Sequence, residues 1–444
     1  MPFPAAMLLF RERRFILKGG FNMDIGRSMA LRALKGNSKT NLLKPSTFFR
    51  LPTPLPSLPT VTVTSGDNSS LTNPTSIYAV VSDASTELNK LFRYYGDMFR
   101  SDWDGSSYSG AFPLFWFAKN AAITGQTGYL AGNIDVEFNI DEVAFEIMVR
   151  GRGQGTSWRV LVDEGNGYQT AFADPAPVSI PDDGALYWIK LTFSTRKLRR
   201  IRFQSADTAF RGVTIGGNGT LLPPTRPKAP RAIFFGDSFT EGTGATGWFN
   251  GFAPIVGQLF GFDYWISGSG GTGYIAPNSG LGRVKYQDRV QHDVIGYAPD
   301  VVIIQGGQND TIYTKANVQT AADSFFKVLK AGLPNTPIIV IGPLSIGALT
   351  TAVTDTRDAI KTAALANGVA FIDSIDGATY DFKGNTLSPV GGNWFTGTGN
   401  TGAPVATGNR SIYTWTDNGH PSSAGHIYIG ERVAGEVYQL LNLS

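Results

Sequence analysis

The chain of 444 residues is long enough for two or three domains at roughly 150 residues each. Apolar residues make up 42% and charged residues only 16%, while glycine fills 53 positions, a balance that excludes wholesale disorder, a coiled coil and a helical repeat. The formal charge of +3 is unevenly placed. Residues 1–50 hold ten Lys/Arg against two Asp/Glu, so the remaining body is mildly acidic, unlike a nucleic-acid enzyme with a basic folded surface.

At the N-terminus the apolar run 7–10 is four residues long and is followed by Arg11, Arg13 and Arg14. A secretory segment needs about 7–15 apolar residues, so no convincing signal peptide is read and the location is left open, with export or a particle-associated assembly both compatible. Met23 is an alternative start to Met1. No run of ~20 apolar residues exists to span a membrane. Pro45, Pro52, Pro54, Pro56 and Pro59 favour extended chain, so 24–75 reads as leader and linker, with 1–60 the basic, Pro-rich tail.

Residues 61–225 have a period of two. Ile134, Val136, Phe138 and Ile140 alternate with polar residues, and Val143, Phe145, Ile147 and Val149 repeat the pattern after Asp141-Glu142. Segments 158–162, 186–193, 197–203 and 210–215 supply further short strands, which predicts an antiparallel, jelly-roll-like β-sandwich. Gly216–Gly219 and the cluster Pro223, Pro224, Pro227 and Pro230 mark the next boundary.

From 226 to 444 the texture changes. Apolar runs at 232–235, 301–304, 337–341 and 369–372 are separated by helical spacing, clearest at 316–333, 350–367 and 422–441. Alternating β and α of this length predicts an α/β domain: a parallel sheet with helices on both faces and ligands at the carboxyl ends of its strands.

Three such ends carry chemistry. The first reads Gly236-Asp237-Ser238, a serine exposed in a tight turn after a buried strand. Another reads Gly307-Gln308-Asn309-Asp310, where an Asn side chain can donate to an oxyanion. Before the last helix stands Asp417-Asn418-Gly419-His420, in which one turn can bring a carboxylate to the histidine whose tautomer it would hold. Singly, each of the three reads as an ordinary turn. Together, in this order, they resemble the SGNH (GDSL-type) hydrolase family over roughly residues 230–444, and 297–300 (Tyr-Ala-Pro-Asp) is also similar.

The resemblance implies an SGNH-type three-layer α/β/α domain and a serine esterase. Ser238 would be the nucleophile, His420 the base and Asp417 its orienting acid, with an oxyanion hole from Ser238, Asn309 and one backbone glycine. The family's second block corresponds to 266–273, with Ile or Ser where the family often has Asn. Gly271 is preferred, and Gly270 and Gly268 stay open. The same stretch spells G-x-G-x-x-G, but Pro277, Asn278, Gly280 and Gly282 follow where a dinucleotide loop needs a helix, so no cofactor is expected.

With no cysteine and only His292, His420 and His426, no metal is expected either. His426 reads as structural and His292 as a surface residue. The α/β-hydrolase elbow G-x-S-x-G is absent.

A sandwich ahead of an SGNH domain resembles two-domain carbohydrate acetylesterases, which implies an acylated carbohydrate as substrate. The segment 377–416 contains Tyr380, Phe382, Trp394, Phe395, Tyr413 and Trp415. These aromatics either stack on sugar rings or pack the segment down. Alternatives are a lipid, aryl-ester or thioester hydrolase of the same fold, or a non-catalytic glycan-binding or structural protein. The sequence leaves the oligomeric state open.

Overall fold

A computed structural model describes residues 52–79, 81, 88–95, 98–101, 114–117, 133–151, 157–173, 180–181, 183, 185–206, 208–224, 229–388, 391–402 and 407–443. Nearly all of the basic tail therefore lies outside the described residues. The chain forms an antiparallel sheet followed by a mixed α/β unit.

Among the described residues the N-terminal sheet has eleven strands joined into one hydrogen-bonded surface. Its spine is a pair of long strands, Asn133–Gly151 and Leu186–Ala206, where the sequence suggested four short ones. The difference has a local cause. Glu142 opposes Lys197 but Ala144 opposes Thr192, so the register jumps at this corner and the core-facing parity changes from Ile140 to Phe145. Alternation alone reads that parity change as a break between strands.

The two halves of the pair pack against each other. Phe138 and Phe145 meet edge to face at 5.8 Å within one buried cluster that also holds Trp158, Phe203 and Phe210. Thr60–Ser65, in the stretch read as linker, is a strand as well, and Thr75–Tyr78 follows at its end, with Val61, Val63 and Ile77 packed on that cluster.

The second sheet runs in the order Asp263–Gly268, Arg231–Gly236, Val301–Gln305, Ile338–Ile341, Ala370–Asp373, Ala378–Tyr380, Thr386–Ser388. The first five strands pair in parallel and the last two antiparallel, so the sheet is mixed rather than wholly parallel. The two extra strands fall in the segment expected to be irregular. They are three residues each and carry little apolar alternation to announce them.

Strand side chains alternate between two cores. Phe234, Ile303, Ile339 and Ile372 face the helices Phe252–Phe260 and Ser423–Leu443. Phe235, Ile304, Val340 and Phe371 face Tyr286–Asp293, Lys315–Gly332 and Thr351–Ala366. Apolar residues at consecutive positions are what a sheet covered on both faces requires. Among the described residues no helix is long and apolar enough to cross a membrane.

The two units meet through buried polar groups. Arg202 forms a two-pronged pair with Asp135, at 2.6 Å to each carboxylate oxygen, and both side chains are 2% exposed. The Tyr264 hydroxyl, from the second sheet, donates to the same Asp135 at 2.8 Å, and Gln258 donates to Tyr264. Arg159 adds bonds to Asn250 and to the Phe249 carbonyl. Burying a charge is costly unless every partner is present, and removing one member of such a pair costs about 3–5 kcal/mol. Asp135→Ala should therefore lose stability on that scale, while Asp135→Leu with Arg202→Met should recover most of it. Chemical denaturation checks this; an Asp135→Ala protein within about 1 kcal/mol of the parent would contradict it.

Candidate active site

The strands Arg231–Gly236, Asp263–Gly268 and Val301–Gln305 end level with one another, Gly236 being in register with both Gly268 and Gln305. Their loops therefore leave the sheet side by side. Gly236 has no room for a side chain: a Cβ there would sit 2.2 Å from Thr240 Oγ1 and 2.4 Å from the Gln305 carbonyl. The chain turns at once into the short helix Ser238–Glu241, with Asp237 as N-cap accepting from the Phe239 N–H at 3.0 Å. Gly242 ends the helix at φ 92°.

Asp237 is fully buried, and burial pushes its carboxyl up to about 8, opposed by the Phe239 amide. Gln305, its amide oriented by these neighbours, donates to Asp237 Oδ1 at 2.7 Å.

His420 arrives from the far end of the chain. Residues 414–421 close on themselves: Thr414 bridges Pro421, and the Trp415 N–H donates to the His420 carbonyl. Asn418 takes the left-handed conformation at φ 60°, one that Asn tolerates better than most residues. Inside this turn Asp417 Oδ1 accepts from the Gly419 and His420 amides at 2.9 and 3.0 Å. Its Oδ2 accepts from His420 Nδ1 at 2.5 Å. Burial by itself would raise the Asp417 pKa, but the His420 ring and the two amides outweigh it and hold the carboxylate below its ordinary range.

A carboxylate can only accept, so the proton is on Nδ1 and the free Nε2 accepts from Ser238 Oγ at 2.7 Å. Ser238, His420 and Asp417 form one continuous hydrogen-bonded chain.

The loop after Gly268 lies against this serine. Gly270 stands so close that a Cβ on it would be 3.3 Å from Ser238 Cβ. Its N–H is committed to Glu241 Oε2 at 2.9 Å. Gly271, at φ 78°, is the preferred candidate whose N–H has no acceptor among the described residues. Asn309 Nδ2 donates one hydrogen to the Thr272 carbonyl at 2.9 Å, and a second hydrogen remains on that nitrogen. The next residue, Asp310, braces the loop by accepting from the Tyr274, Ile275 and Ala276 amides. The sequence assigned no role to Asp310, Glu241, Arg283 or Asn278. Nothing in their spacing shows what they bond to.

The aromatics of 377–416 divide. Trp394 and Phe395 are in the core, Phe382 packs on it, Tyr413 stacks on Tyr428 at 4.3 Å, and Tyr380 lies under Lys361. Trp415, two residues before Asp417, keeps 39% of its surface exposed. Among the described residues no cluster of His, Asp and Glu could hold a metal ion.

Residues 234–427 match the GDSL-like Lipase/Acylhydrolase family. That stretch is similar to a GDSL-like acylhydrolase domain. The α/β unit and the sheet before it together resemble solved structures. A family two carbohydrate esterase from Cellvibrio japonicus is 13% identical, with 83% of this chain and 98% of that one covered at a TM-score of 0.55. A family two carbohydrate esterase from Clostridium thermocellum, in complex with cellohexaose, is 18% identical over 78% and 98% at 0.52. The salicylyl-acyltransferase SsfX3 from a tetracycline biosynthetic pathway is 14% identical over 78% and 94% at 0.55. At such identities the likeness is one of fold. No curated protein matches the chain.

His426, six residues past His420, is fully buried. Its Nδ1 accepts from the Phe252 N–H and its Nε2 donates to the Thr243 carbonyl, which ties the last helix to the loop after Ser238. His292 is half-exposed beside Asp293. Burial, opposed by the Thr243 carbonyl, pushes His426 down to about 4 from 6.5. The folded state thus binds fewer protons than the unfolded one between these values. Stability is intact above pH 6.5 and falls as pH drops towards 4, by on the order of 3 kcal/mol. His426→Gln should melt lower at pH 7.5 but show a flatter decline of melting temperature from pH 7 to 4.5. An unchanged slope would count against this assignment.

Proposed function

We propose that the protein is a serine esterase that removes short acyl groups, acetyl foremost, from a carbohydrate. The observation that carries the reading is the unbroken chain Asp417–His420–Ser238 at the mouth of the sheet. In this mechanism Ser238 Oγ attacks the ester carbonyl and gives its proton to His420 Nε2. Asp417 accepts from Nδ1–H throughout and stabilises the imidazolium. His420 then protonates the leaving sugar hydroxyl as the C–O bond breaks, leaving an acyl-Ser238 ester. Water attacks that ester while His420 takes its proton, and the acid leaves as Ser238 is reprotonated. The Ser238 and Gly271 N–H groups and the Asn309 amide bind the oxyanion, each worth about 2.7–4 kcal/mol.

In this reading residues 226–444 are an SGNH-type three-layer catalytic domain, and 61–225 an accessory β-sandwich that positions substrate. Trp415 supports the carbohydrate assignment. A flat, half-exposed indole face beside the base is suited to a sugar ring, because its apolar C–H face covers an aromatic well. A second reading, hydrolysis of a longer lipid or aryl ester, draws on Ile312 and Leu349. Ile312 is 81% exposed and three residues past Asn309, while Leu349 is exposed just after Gly347, which approaches the Asn418 carbonyl.

Ser238→Ala should abolish release of nitrophenol from an aryl acetate, at least a thousandfold, with an unchanged melting curve. Activity within tenfold of the parent would remove Ser238 from the mechanism. Trp415→Ala should raise KM at least fivefold for acetylated xylan or cellulose, judged by acetate release, and leave aryl acetate hydrolysis nearly unaltered. An acyl-chain series peaking at eight carbons or longer, with no acetate freed from any glycan, would favour the second reading.

A further inference from the structure

We infer that Glu241, Arg283 and Asn278 are positioning residues: they clamp the Gly270–Gly271 peptide so that the Gly271 N–H is aimed at the oxyanion. The inference rests on the serine-esterase reading and names what sets its oxyanion hole.

Every polar atom of the Gly270 backbone is held. Its N–H donates to Glu241 Oε2 at 2.9 Å. Its carbonyl accepts from Arg283 Nη1 at 2.9 Å and from Asn278 Nδ2 at 3.2 Å. Arg283 Nη1 also pairs with Glu241 Oε2 at 3.2 Å, closing a ring around one glycine. Both charged side chains are over nine-tenths buried, so they form this ring away from competing water.

Peptide planarity sets the direction of the next donor. In a trans peptide the carbonyl of one residue and the N–H of the next point in opposite directions across the same plane. With the Gly270 carbonyl bound on the Arg283 and Asn278 side, the Gly271 N–H is turned to the opposite side. Gly270 itself packs on Ser238 Cβ, which puts this peptide next to the nucleophile. Asn278 also explains why residue 271 is glycine. A Cβ there would come within 2.4 Å of Asn278 Nδ2, and the φ of 78° disfavours other residues.

Charge gives the clamp a second duty. An unpaired Glu241 carboxylate beside the reacting carbonyl would repel the developing oxyanion. Arg283 cancels that charge while holding the peptide. A preorganised donor acts without reorganising at the moment of reaction, and this is where most of its catalytic value lies.

The test compares Asn278→Ala, Glu241→Gln and Arg283→Lys with the parent on an aryl acetate, alongside melting temperature. The expected result is a kcat loss of about 10- to 100-fold for Arg283→Lys and of about 5- to 10-fold for Asn278→Ala, within the range for weakening one oxyanion donor. KM should stay within twofold. Inactivation by a nitrophenyl alkylphosphonate, which builds the same charged oxygen at Ser238, should slow in proportion. A merely structural role would lower the melting temperature without this kcat-selective loss.

Should Arg283→Lys fail to fold, Asn278→Ala carries the test, since it removes no charge. Variants that keep kcat and phosphonate reactivity within twofold, from an active parent, overturn the clamp alone. A parent inert towards every ester and towards the phosphonate overturns the esterase reading instead, and the clamp as a catalytic device falls with it.

Discussion

Three parallel strands that stop at the same height impose the geometry on which everything else depends. Gly236, Gly268 and Gln305 share one register level, so the two outer loops each begin one strand spacing from the central one. The fit at this level is tight, and a side chain on Gly236 would strike both the helix turn above and the neighbouring strand. The serine, the glycine loop and the asparagine turn thus face a common space although they are up to 71 residues apart in the chain. The hydrogen bonds of the ladder specify that space before any functional side chain is considered.

Much of this was legible from the residues because the chemistry is written in short runs. Ser238, Asn309 and the Asp417/His420 turn each stand within four residues of the glycine that permits their loop. The structure joins serine, histidine and aspartate, and Asn309 bonds the carbonyl of Thr272, the residue after Gly271. What stayed hidden needs partners distant in sequence. Glu241 and Arg283 are 42 residues apart, and no pattern in the chain joins them. The long strands were hidden for a different reason. A period-two pattern cannot distinguish a corner, where parity changes inside one strand, from a turn between two. The edge strands Ala378–Tyr380 and Thr386–Ser388 are too short for any period to appear.

The N-terminal sheet contributes more than an appended module would. Its Asp135 and Arg202 need the Tyr264 hydroxyl to complete their bonding, and Tyr264 begins the strand that ends at Gly268. One end of that strand is thus held by the first sheet while the other presents the glycine loop. Burial of a charge pair is weak evidence for added stability, but it is strict about geometry, because any misplacement leaves a charge unsatisfied. The polar junction accordingly fixes the relative position of the two units more than it strengthens their attachment.

The turn that holds Asp417 and His420 has a mechanical consequence. Carboxylate and imidazole are three residues apart and cross-braced by two amide bonds, so they move as one rigid piece on the root of the last helix. The Ser238–His420 bond, by contrast, spans 182 residues, and the helix root meets the serine's loop through bonds of Ser423 to Thr246 and of His426 to Phe252 and Thr243. Any displacement of that helix root would carry carboxylate and imidazole together, changing the distance to Ser238 while leaving the Asp417–His420 bond as it is.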